Sequence, residues 1–183
     1  MLTRIFKSPR QSFFLLGPRG TGKSTWLRSV FADAHVIDLL SEDTYHRLLS
    51  NPGQFADELR TVLSNRWVIV DEVQRLPNLL NEVHRFMEEK HLKFVLCGSS
   101  ARKLKRTGVN MLAGRALHRA MHPFVPEELG KEFNLDLVMR YGSLPIVWDS
   151  TDRKETLSAY ARLYLKEEIQ AEALVRNLPG FAI

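Results

Sequence analysis

The chain has 183 residues, 44% hydrophobic and 26% charged, with a formal net charge of +5 and one cysteine. A domain of this size buries enough surface to fold unaided, and one cysteine excludes a framework of internal disulfides. No apolar run reaches the roughly 18 residues that a membrane-spanning helix needs, and the amino terminus lacks the long apolar core of a secretory signal. A cytoplasmic protein is expected.

In chain order, Phe13-Phe14-Leu15-Leu16 is an unbroken apolar run of the kind that forms a strand covered on both faces. It runs directly into Gly17, Pro18, Arg19, Gly20, Thr21, Gly22, Lys23 and Ser24, which fills the pattern G-x-x-x-x-G-K-[ST]. Thr25 and the residues after it continue as a helix, with Leu27, Val30 and Phe31 expected on its apolar face. Strand, glycine loop and helix together read as a phosphate-binding loop. Gly20 and Gly22 let backbone N–H groups approach an anion and adopt positive φ. The helix start adds unpaired N–H groups and the positive end of its dipole. Lys23 then reaches the β- and γ-phosphates, and the Ser24 hydroxyl is a ligand for Mg²⁺.

Val36-Ile37-Asp38-Leu39 is a shorter strand, expected at a sheet edge. Helices are expected near residues 42–50, 52–64 and 77–90, the first two broken apart by Asn51-Pro52-Gly53. Trp67-Val68-Ile69-Val70-Asp71-Glu72 is a second buried strand that ends in two carboxylates. Asp71 is placed to hold Mg²⁺ opposite Ser24, and Glu72, leaving in another direction, to polarise an attacking water. Gln74 is either a hydrogen-bond carrier from this site to a neighbouring segment or simple loop polarity. Lys93-Phe94-Val95-Leu96-Cys97-Gly98 closes on Ser99 and Ser100. Either hydroxyl can meet a γ-phosphate or cap a helix beginning near Ala101, and the choice between them stays open. Residues 116–121 give a further strand, carrying His118 and Arg119. Residues 153–176 form a long amphipathic stretch. Strands alternating with helices predict an α/β fold, a parallel sheet of about five strands between two helical layers, with the ligand at the strands' carboxyl ends.

Charge is unevenly spread. Residues 1–32 and 102–126 each hold six Lys or Arg and no acid, while the remainder is net acidic. A basic field converging on a bound polyphosphate accounts for this. Nucleic acid is the rival explanation, and no dedicated nucleic-acid motif supports it.

Taken together, Gly17 to Ser24, Asp71-Glu72-Val73-Gln74, Gly98-Ser99-Ser100-Ala101-Arg102 and Leu112-Ala113-Gly114-Arg115 resemble the AAA-type branch of P-loop ATPases. Pro123-Phe124, Glu127-Glu128-Leu129 and Gly142-Ser143-Leu144-Pro145 extend the likeness to a prokaryotic AAA family usually joined to a C-terminal domain of unknown function. The resemblance implies ATP, Mg²⁺ and hydrolysis, and a sheet whose Ser99 strand lies between the phosphate-loop strand and the Asp71 strand. It also implies that Arg115, or in competition Arg102 or Arg119, meets the γ-phosphate from its own chain or a neighbour's, which leaves an oligomer open. Residues 1–130 are expected to form the ATPase core. Residues 131–183 are expected to form a helical lid or the start of a second domain, in a chain that stops early. Gly142-Ser143 departs from the family pattern, where a second glycine is expected. The leading expectation is an ATPase that moves an attached C-terminal domain or a protein partner. The alternatives are a nucleotide-binding switch with little turnover and a DNA-associated ATPase.

Overall fold

The computed structural model describes residues 2–99, 104, 112 and 114–164. They divide into two compact units, one spanning Phe6–His122 and the other joining the amino-terminal residues through Ile5 to the chain from Pro123 onward.

The larger unit holds a five-stranded sheet. Its strands are β1 (Phe13–Leu16), β2 (His35–Asp38), β3 (Trp67–Asp71), β4 (Lys93–Gly98) and β5 (Leu117–Ala120), in the spatial order β2-β3-β4-β1-β5. Every pairing is parallel. The Ser99 strand therefore lies between the phosphate-loop strand and the Asp71 strand, as the resemblance implies, and β2 is an edge. Parallel strands need crossover connections, which α1 (Lys23–Val30), α2 (Glu42–Ser50), α3 (Gly53–Thr61) and α4 (Leu79–Glu89) provide.

Alternation along the strands divides the core in two. Phe14, Leu16, Val68, Val70, Phe94 and Leu96 pack on one face with buried residues of α2, α3 and α4, including Leu48, Phe55, Leu59, Leu80, Val83 and Phe86. Phe13, Leu15, Ile69, Val95 and Cys97 face the other way, onto Trp26 and Leu27 of α1 and Phe31. The result is the expected α-β-α sandwich. One detail differs from the sequence reading: Val30 is exposed, and Trp26 takes its place in the core. Val30 is the last residue of its helix, and the buried Phe31 that follows packs on Phe13 and Trp67 in its stead.

Helix starts follow local chemistry. Ser41 Oγ accepts from Thr44 N–H at 3.4 Å, and Glu42 and Asp43 occupy the first turn of α2, where negative charge meets the dipole favourably. Arg75 donates to Leu39 O at 2.6 Å and Glu42 Oε1 at 2.9 Å while lying over the Tyr45 ring, tying the β2–α2 connection to the end of β3.

The smaller unit is helical, with Leu135–Tyr141, Arg153–Tyr164 and single turns at Pro126–Leu129 and Pro145–Trp148. Phe124, Leu129 and Trp148 form its core, with Leu2, Leu137 and Val138 packed on them. Glu128 is buried yet fully engaged: it accepts from Ile5 N–H and Val125 N–H and pairs with Arg4 at 3.0 Å. Arg4 thus belongs to this unit. No helix among the described residues is long and apolar enough to cross a membrane. Ser100, Arg102, the helix expected near Ala101 and the residues after Tyr164 lie outside the described residues.

Candidate functional site

Where β1 ends, the chain turns through residues that only glycine suits. Gly17 has φ +153, and a Cβ there would sit 2.2 Å from the Met121 carbonyl oxygen. Gly20 and Gly22 have φ 77 and 82. A Cβ at Gly22 would meet nothing within 4 Å, so that position is constrained by backbone conformation and opens on unfilled space. Thr21, fully buried, donates its hydroxyl to Pro18 O at 2.9 Å and braces the loop from within. Arg19 is exposed at the loop and Thr25 is exposed on the first turn of α1.

Lys23 begins α1, is 7% exposed, and donates its ammonium to Gly17 O at 2.6 Å and Pro18 O at 2.9 Å. The charge is therefore held against the loop it starts from. Next to it, the Ser24 hydroxyl donates to Asp71 Oδ2 at 2.8 Å. Residues 47 positions apart in sequence meet because β1 and β3 flank β4 in register, so their carboxyl ends lie side by side. Asp71 Oδ1 accepts from Glu72 N–H at 3.0 Å. Both carboxylates are 8% exposed. Buried carboxylates are costly unless partnered, and burial first, then Asp71, pushes the Glu72 carboxyl above its ordinary range, while Lys23, Arg19 and Gln74 pull it back. Burial likewise pushes the Cys97 thiol well up, with Asp71 adding to it, which leaves it an inert core group.

Glu72 has φ 54 and ψ 43, the left-handed region. This turn aims its side chain toward Gln74, whose Nε2 donates to Glu72 Oε2 and also to Ser99 Oγ at 3.1 Å. Lys23, Ser24, Asp71, Glu72 and Ser99 are thus brought together at the carboxyl ends of three adjacent strands.

Arg115 is not brought there. Leu117 pairs with Phe13, the first residue of β1, so Arg115 stands at the amino ends of the strands. Its Nε donates to Glu88 Oε1 at 2.8 Å. The length of β1, about 13 Å for four residues, separates it from its own phosphate loop. Arg119 donates to the His118 carbonyl on β5. Arg10 and Lys93 line a hollow of about 570 Å³ at the same amino ends. Among the described basic residues, Arg10 and Arg115 therefore do not converge with Arg19 and Lys23 on one point, because strands carry neighbouring charges to opposite ends; Arg102, Lys103, Lys105 and Arg106 lie outside the described residues.

The donor set suits Mg²⁺ held jointly with phosphate. A hydroxyl and a carboxylate are hard oxygen ligands, and such an ion takes one or two protein ligands and fills the rest with water and phosphate oxygens. No group of three or more His, Cys, Asp or Glu that could hold a metal occurs among the described residues, so a cage built from protein alone is not offered there.

Two features had no signal in the sequence: the Met121 carbonyl lying against Gly17, and Gly98, where a Cβ would fall 2.2 Å from Gln74 Oε1. Both arise from close approaches between segments distant in the chain.

A parallel sheet ordered β2-β3-β4-β1-β5, with a glycine loop leaving β1 into α1, is the architecture of a P-loop NTPase. Residues 9–130 match the family model described as AAA domain. The chain belongs to that family and is an AAA-type P-loop ATPase in fold. No curated protein matches the chain in sequence. Among solved structures it is similar to the ORC1 protein of Aeropyrum pernix in complex with DNA, at 16% identity and a TM-score of 0.48 over 94% of this chain and 56% of that one. It is also similar to C. elegans PCH-2, at 15% identity and a TM-score of 0.39 over 93% and 55%. Drosophila ORC bound to DNA matches at 17% identity and a TM-score of 0.43 over 92% and 52%. The chain spans little more than half the length of each.

Proposed function

We propose that the chain binds ATP with Mg²⁺, hydrolyses it to ADP and phosphate, and uses the cycle to move an attached domain or protein partner. The observation that carries this reading is the 2.8 Å contact between the Ser24 hydroxyl and the Asp71 carboxylate, at the mouth of a glycine loop with Lys23 buried beside it. Gly17, Pro18, Arg19, Gly20, Thr21, Gly22 and Thr25 shape the cradle, whose amides wrap the phosphates. Lys23 would exchange its loop carbonyls for phosphate oxygens. Ser24 and Asp71 would hold Mg²⁺, which would supply charge that neutralises the phosphates. Glu72 would orient the attacking water and accept its proton, and Ser99, or Ser100, would hydrogen-bond the γ-phosphate. Arg115 fits this scheme only as a group serving the site of a neighbouring copy. Residues 131–183 would act as a lid or lead into a second domain. A cytoplasmic setting suits the single buried thiol.

Calorimetry with Mg·ATP followed by single-turnover phosphate release tests the reading. Saturable binding, with release abolished by Glu72→Gln while binding persists, supports hydrolysis. Binding without release by the parent chain would instead identify a nucleotide-binding switch. A folded sample that takes up no nucleotide overturns the reading.

A further inference from the structure

We propose that Gln74 is a positioning residue that ties the Glu72 carboxylate to the carboxyl end of β4 through the two hydrogens of one amide. The inference rests on the hydrolytic reading above and concerns how its water-activating carboxylate is aimed.

Glu72 leaves β3 in the left-handed region, a conformation costing a non-glycine residue about 1–2 kcal/mol. Such a turn persists only where its surroundings hold it. Three contacts do so. Asp71 Oδ1 takes the Glu72 N–H at 3.0 Å, the Glu72 carbonyl accepts from Arg75 N–H at 2.9 Å, and Gln74 Nε2 takes the carboxylate itself. The first two fix the backbone and leave the side-chain torsions free. The third fixes the carboxylate, and it is referred to the sheet because the same nitrogen donates to Ser99 Oγ at 3.1 Å.

The sheet makes room for this bridge. Gly98 is the last residue of β4, and a Cβ on it would lie 2.2 Å from Gln74 Oε1 and 3.2 Å from Gln74 Cδ. No positive φ calls for glycine at this position, since Gly98 is absent from the left-handed residues. What glycine supplies is space for the amide. Gln74 Oε1 is buried and has no hydrogen-bond partner among the described residues, so the amide is held by its nitrogen alone. The arrangement joins the carboxylate assigned to water and one of the two hydroxyls assigned to the γ-phosphate, 27 positions apart in sequence, through one side chain. A Ser99 hydroxyl that reorients toward a γ-phosphate therefore changes how the same amide holds Glu72.

The test uses the full chain with Mg·ATP, single-turnover phosphate release, affinity for a non-hydrolysable ATP analogue, and thermal unfolding of each variant. Gln74→Ala is expected to slow release about tenfold to a hundredfold, the scale of a misplaced catalytic group, with analogue affinity within about twofold of the parent. Gln74→Glu keeps the size but donates no hydrogen bond and should not rescue the rate. Gly98→Ala touches no catalytic chemistry, yet should slow release similarly by displacing the amide. In the Gln74→Ala background the same glycine substitution should cost nothing more, because the amide it displaces is gone, while unchanged analogue affinity and thermal midpoint separate positioning from a loss of structure. Release at the parental rate by Gln74→Ala, or an equal loss from Gly98→Ala with and without Gln74, overturns the inference. If the parent hydrolyses ATP and Glu72→Gln abolishes this while Gln74 variants remain parental, this inference alone falls. If the parent binds but never hydrolyses, the reading beneath it falls as well.

Discussion

At the carboxyl ends of β1, β3 and β4 the chain buries charge, whereas at the amino ends of the same strands it buries rings. Lys23, Asp71 and Glu72 are all less than a tenth exposed, and their hydrogen bonds run to loop carbonyls, a serine hydroxyl and a glutamine amide. At the other end Phe13 packs edge-on to Trp67 with ring centroids 6.1 Å apart, Phe31 lies against both, and Lys93 sits over the Trp67 ring. Rings gain from burial and from each other. Buried charges cost stability unless every partner is supplied. The charged end is therefore the one that packing cannot justify, which supports the proposed site at the carboxyl ends of the strands and leaves stability to the amino ends.

That contrast can be broken by substitution. The largest effect on stability is expected from Phe13→Ala, which empties a fully buried ring site and should cost about 3–5 kcal/mol in denaturant unfolding. ATP affinity of the folded fraction should not change; a loss of affinity would mean that the two ends are not separable. Gly17→Ala should cost about 3 kcal/mol, since a left-handed strain is joined to a collision with the Met121 carbonyl, and should weaken nucleotide binding as the loop shifts. Saturation with Mg·ATP at about 100 times Kd should add about 2.7 kcal/mol, visible as a rise in thermal midpoint. Lys23→Met should abolish that rise without lowering the midpoint of the nucleotide-free chain comparably to Phe13→Ala. The smallest effect is expected from Arg115→Ala. Its pair with Glu88 is solvent-exposed, and such pairs add little, so midpoint and single-turnover rate in dilute protein should match the parent. A rate loss that appears only at high protein concentration would sharpen the comparison, by assigning the amino-end arginine to a neighbouring copy's site.

Much of this was legible in advance because it is local. Apolar runs marked β1, β3 and β4, the spacing from Gly17 to Ser24 marked the loop, and Asn51-Pro52-Gly53 separated α2 from α3. These follow from dihedral preference and side-chain period, which a short window contains. Val30 escaped that reading because its burial depends on where the helix stops relative to the sheet. So did the placement of Arg10 and Arg115. Arg19 and Lys23 stay at the loop, while Arg10 and Arg115 stand a strand's length away, since neighbours in sequence separate along a strand.

By itself, then, the amino-acid order determined an alternating α/β chain, a glycine loop with the phosphate-binding pattern, and an acidic pair closing the β3 strand. The resemblance implied the strand order, and tertiary structure alone decided the contacts made across it. Insertion of β4 between β1 and β3 places Ser24 beside Asp71, and the register of β5 on β1 leaves Arg115 at the amino ends of the strands. The insertion also brings Gly98 so close to Gln74 that the absence of one Cβ leaves room for the amide that donates to Glu72. The physical reason is strand register. Pairing between parallel strands sets which residues from distant segments share an edge, and no local window of sequence encodes that pairing.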